Sequence, residues 1–60
     1  MHEYRVMGQD GWVDNVWYSH VYLAVAAYTG LEAVEKVRRR YPTLKGVHLV
    51  GKDNATESHV

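Results

Sequence analysis

The feature that most constrains this chain is the run from Val16 to Tyr41. It alternates for a dozen residues and then changes period without a spacer. Val16-Trp17-Tyr18-Ser19-His20-Val21-Tyr22-Leu23-Ala24-Val25-Ala26-Ala27 repeats every second residue. Trp17, Val21, Leu23, Val25 and Ala27 fall on one side, and Val16, Tyr18, His20, Tyr22, Ala24 and Ala26 on the other. Period two with β-branched and aromatic residues predicts a strand. From Leu31 the apolar residues recur at helical intervals as Leu31, Val34, Val37 and Tyr41, with Ala33 beside them. Thr29 supplies an N-cap hydroxyl, and Glu32 follows at capping-box spacing. Glu32–Lys36 and Glu35–Arg39 are i,i+4 pairs in the favourable order. Arg38, Arg39 and Arg40 suit the negative end of the helix dipole, and Pro42 ends the run.

Shorter elements flank this unit. Tyr4-Arg5-Val6-Met7 predicts a first strand after a frayed Met1–Glu3. Gly8-Gln9-Asp10-Gly11 reads as the hairpin turn, because Asp-Gly supplies positive φ values. Trp12 to Asn15 is then a lead-in to the second strand. Val47-His48-Leu49-Val50 predicts a third strand after the connection Thr43–Gly46, with Gly51 to Asn54 ending it. The expectation is an α+β domain over residues 1–54 in β-β-α-β order, with 55–60 as a disordered tail. A right-handed crossover makes strand three parallel to strand two and leaves strand one in the middle of an antiparallel sheet, order 2-1-3. One helix covers one face. The expected core is Leu31, Val34, Val37 and Tyr41 against Trp17, Val21, Leu23, Val25, Tyr4, Val6, Val47 and Leu49. Strand two, expected to be longer than its neighbours, has an edge open to another chain.

The run Val25-x-Ala27-x-Thr29-x-x-Glu32-Ala33 resembles the strand-to-helix junction of small stand-alone β-β-α-β proteins of phage and plasmid type. In element order, residues 4–51 are similar in layout to archaeal ribosomal protein LX. The resemblance implies this fold, and the LX-like layout implies RNA contact. It carries over no functional residue.

Composition narrows the function. Sixty residues make one small core that buries roughly 60% of the unfolded surface. Without cysteine there is no disulfide and no zinc–thiolate site. Small domains without such staples often lean on association. Seven basic residues balance seven acidic ones, unlike a general nucleic-acid binder. The start lacks a signal-peptide pattern, and no segment is apolar enough to span a bilayer, so a cytosolic setting is expected.

No catalytic constellation is present. Asp10, Asp14 and Glu3 are explained by turn and loop positions, Gly8-x-x-Gly11 is not a nucleotide fingerprint, and no nucleophile sits beside a base. No cofactor motif appears. His20 and His48 share a face but lack the spacing of a metal site, and a pH-sensitive interface suits them better. Asn54-Ala55-Thr56 is a sequon without a secretion signal, and Ser58-His59-Val60 reads as a loose tail. What remains is the sheet face that the helix leaves bare, with Arg5, Met7, Tyr18, His20, Tyr22 and His48. Such a face predicts a small interaction protein that homodimerises or binds another protein there or along a strand edge. The alternative is nucleic-acid contact through Lys36, Arg38, Arg39 and Arg40 with the exposed tyrosines.

Overall fold

The computed structural model describes residues 1–52 of the chain. Two long strands, β1 (His2–Val13) and β2 (Val16–Ala27), are followed by helix α1 (Gly30–Arg40) and strand β3 (Lys45–Lys52). The sheet is antiparallel in the order β2-β1-β3, with the helix on one face: the α+β, β-β-α-β architecture read from the sequence. The expected tail at 55–60, the sequon and the end of the domain at Asn54 lie outside the described residues.

The hairpin is placed differently from the sequence reading. It turns at Asp14-Asn15, whose φ values of 49° and 69° form a two-residue loop that follows the twist of the strands. Both residue types tolerate the left-handed region. Gly8 to Gly11 is therefore interior to β1, and Trp12-Val13 belongs to β1 rather than to β2. The two strands are equal at twelve residues each, so β2 is not the longer one. β1 also begins at His2, where fraying was expected, and β3 reaches two residues further at each end.

A second correction follows from Asp10, whose φ is 52°. The β1–β2 ladder pairs Gln9 with His20 and Gly11 with Tyr18, skipping Asp10 and Ser19. Helix-side residues on β1 run Tyr4, Val6, Gly8, then Gly11 and Val13, so one step of three replaces a step of two. β2 makes the same step between Tyr18 and Val21. Tyr18 therefore packs against the core, whereas Trp17, expected inside, lies on the far face at 51% exposure. Alternation read backwards from Val21 cannot detect this change of phase, because the left-handed residue at that level, Asp10, lies on the paired strand β1 and not on β2.

The core is small and made of short side chains: Val6, Val13, Ala27, Ala33, Val34, Val37, Leu44 and Val47. Val21, Leu23, Val25, Tyr4, Tyr18 and Tyr41 are half-buried at its margin. Leu44, assigned from sequence to a connection, packs over Gly8 and Gly11. Leu31 and Leu49, expected inside, are 69% and 41% exposed. At 3.6 residues per turn, each helical step is about 100°. Val34, Val37 and Tyr41 then cluster around one direction, and Leu31 stands about 100° off the stripe that begins at Gly30.

The helix start follows its sequence signals. Thr29 Oγ1 accepts from Glu32 N at 3.1 Å, and Glu32 Oε1 accepts from Tyr28 N at 2.6 Å, one residue earlier than the standard capping box. The helix stops before Pro42, where Tyr41 N donates to Val37 O at 2.8 Å. Thr29→Ala removes one partner of an orphan amide. It is expected to lower stability by about 1 kcal/mol, read as a fall of roughly 4–8 °C in Tm. An unchanged Tm would mean that the cap contributes nothing.

Candidate functional site

The face of the sheet away from the helix is built by the residues that alternate with the core. Arg5 pairs with Ala24, Met7 with Tyr22 and Gln9 with His20 across β1 and β2; Met7 also pairs with His48 on β3. Directly paired residues share a face and stand roughly 4.5–5.5 Å apart at Cβ. Met7 is thus flanked by Tyr22 and His48 in one row. Arg5 precedes it, and His20 follows on the same side. Five of the six residues singled out from sequence are brought together. Tyr18, the sixth, is on the opposite side for the reason given above.

Tyr22 is 60% exposed and Met7 is half-buried between its neighbours. His48 Nδ1 donates to Gly46 O at 2.8 Å, which fixes the ring. The glycine there has φ 59°. Glu3 lies two residues before Arg5 on the same side of β1, so the surface carries both signs around an aromatic and thioether centre.

Sequence reasoning missed a second feature of this face. Trp12 pairs with Trp17 next to the hairpin turn, their rings 5.7 Å apart and edge to face, each 51% exposed. The signal was present: placing the turn at Asp14-Asn15 puts the two tryptophans opposite one another. With them, the outward side of β2 runs Ala26, Ala24, Tyr22, His20 and Trp17.

The four cations of the helix do not form one patch. Lys36 Nζ reaches Ala26 O at 2.7 Å on the β2 side, whereas Arg38 Nη2 reaches Val47 O at 3.5 Å on the β3 side. Arg39 and Arg40 are exposed, and Arg40 Cζ lies 5.8 Å from the Tyr41 ring centre. Tyr22 and the tryptophans are on the other side of the sheet from all four. Tyr22 is therefore separated from the basic helix end, whereas Tyr41 lies beside Arg40.

A groove of about 600 Å³ opens between α1 and the free edge of β2, lined by Leu23 to Ala26 on the strand and by Lys36, Val37, Arg39, Arg40 and Tyr41 opposite. Among the described residues, no three His, Cys, Asp or Glu side chains cluster to hold a metal ion, and no helix is long and apolar enough to cross a membrane. No protein-family model, curated protein or solved structure matches this chain.

Proposed function

We propose that this chain is a small interaction protein, acting in the cytoplasm by binding rather than by catalysis. Its bare sheet face meets a second copy of itself. The observation that supports this most is the row Tyr22–Met7–His48, with Arg5 and His20 beside it, on a face that no element among the described residues covers. A tyrosine buries large area with few rotatable bonds, a methionine adapts its thioether to the opposing surface, and the polar tips of Tyr22, His20 and His48 set register. A two-fold interface is self-complementary, and a face holding both Glu3 and Arg5 can pair its charges with those of an identical partner. A different protein partner on the same face is the second reading.

The nucleic-acid reading is less well supported. Phosphate affinity grows with the number of cations that reach one backbone. Here Arg38 turns to the β3 flank, away from Lys36, Arg39 and Arg40 on the β2 side, and the Tyr22 face lies behind the sheet.

Sedimentation of wild type and Tyr22→Arg across a concentration series tests the proposal. A wild-type dimer that becomes monomeric on Tyr22→Arg is the expected result. A dimer indifferent to Tyr22→Arg would remove the interface from this face. A monomer at every concentration would leave the face to a foreign partner and overturn self-association.

A further inference from the structure

We infer that the groove between α1 and the free edge of β2 is a second docking site. It accepts an extended acidic segment of another protein as an added strand. β2 is an outer strand of the sheet, and over twelve residues it contains no charge, no proline and no glycine. Those are the devices by which exposed edges are usually protected from pairing. The protection here comes from the helix instead: Lys36 reaches across and holds the Ala26 carbonyl.

Beside that edge the groove has an apolar floor and a cationic wall. Leu23 and Val25 on β2 are half-buried, because the helix leaves the inner side of this outermost strand incompletely covered. Lys36, Arg39 and Arg40 rise opposite, and among the described residues no carboxylate lines the groove. A strand laid along Leu23–Ala26 gains main-chain hydrogen bonds from the edge, which is the strand-addition mode of peptide recognition. Its side chains alternate between faces. Every second one turns toward α1 and meets the three cations, so the fitting ligand carries Asp or Glu at alternate positions with apolar residues between.

The charge also decides against a second copy as the occupant. Antiparallel pairing of β2 with its own copy puts both helices on the same side of the joined sheet. Two sets of Lys36, Arg39 and Arg40 would then face each other across the seam, and β2 supplies no carboxylate to separate them. The groove is lined by none of Tyr22, Met7, His48, His20 and Arg5, so it is tested separately from the dimer proposed above.

The test uses a fluorescein-labelled octapeptide of alternating glutamate and valine, titrated with the full chain and followed by anisotropy. Three comparisons accompany it: the same peptide N-methylated at alternate residues, an alternating lysine–valine peptide, and the protein carrying Arg39→Gln with Arg40→Gln. Both arginines are exposed, so the double variant keeps its fold, which circular dichroism checks. Saturable binding of the acidic peptide is expected, with amide shifts at Leu23–Ala26. Affinity should fall about tenfold in the double variant, the scale of two exposed ion pairs. N-methylation should abolish binding, the lysine–valine peptide should not bind, and Tyr22→Arg should bind as wild type does. Absence of saturable binding overturns the proposal. So does binding that survives N-methylation, that is unchanged by the double variant, or that leaves the β2 amides unshifted.

Discussion

Gly11→Val is expected to bring this domain to the edge of unfolding. A Cβ at Gly11 would lie 2.7 Å from the backbone N and Cα of Leu44 and 2.8 Å from the carbonyl carbon of Thr43. These are main-chain atoms of the segment that closes the α1–β3 connection. Trp12 N fastens that segment by donating to Thr43 Oγ1 at 2.9 Å. A side-chain tip could swing away, but this segment cannot move without pulling Leu44 out of the core. Overpacking costs about 1–3 kcal/mol where neighbours can adjust, and the backbone obstruction places Gly11→Val at or above the top of that range. A domain of this length has only about 3–9 kcal/mol of stability in total. Urea denaturation checks the prediction.

Two other glycines serve as controls. Gly51→Ala meets nothing within 4 Å and should stay within about 0.5 kcal/mol of wild type. At Gly30 the nearest atom is Leu49 Cδ2, at 2.6 Å, the free end of a side chain that can turn toward solvent. Gly30→Ala should therefore be mild. Equal effects at Gly11 and Gly51 would show that Leu44 does not pack where it is described.

Val37→Asp is the second large effect, and it should abolish folding outright. Val37 is 2% exposed and sits between α1 and the sheet. An unpaired carboxylate there costs several kcal/mol, or forces the group to take up a proton. Either outcome is comparable to the whole stability of the domain. Leu31→Asp makes the contrast. Helical periodicity read from sequence alone groups Leu31 with Val34 and Val37, but Leu31 is mostly solvent-exposed. Far-ultraviolet circular dichroism should show Leu31→Asp folded and Val37→Asp unfolded. The reverse pattern would mean that α1 is rotated about its axis relative to the sheet. Arg39→Glu, at an exposed position of the helix, should be mild for stability under the same geometry.

The parts of the candidate site that could be read from sequence were those fixed by local alternation. Between Val21 and Ala27 the period is unbroken, so Tyr22 and Ala24 fall on the bare face as expected. Likewise Arg5 and Met7 alternate with Tyr4 and Val6, and His48 with Val47. Tyr18 and Trp17 exchanged sides because they lie beyond Ser19, where the ladder skips a pair. The edge-to-face tryptophan pair was hidden for a related reason. Their pairing depends on which of two turn-forming stretches, Gly8–Gly11 or Asp14-Asn15, closes the hairpin, and both contain residues that accept positive φ.

The sequence by itself determined the element order, the capped helix, the antiparallel 2-1-3 sheet and the part of the core made by Val6, Val34, Val37 and Val47. These follow from short-range propensity, capping chemistry and the handedness of crossovers, which act within a few residues or limit topology in general. Only the tertiary structure decided where β1 turns, which way β2 faces beyond Ser19, and that Leu44 fills the slot over Gly8 and Gly11. The same is true of the division of the helix cations between two flanks. Each of these depends on contacts between segments far apart in the chain. Asp10-Gly11 can close a tight turn when taken alone, but the approach of Thr43-Leu44 uses Gly11 as a flat place within a strand instead.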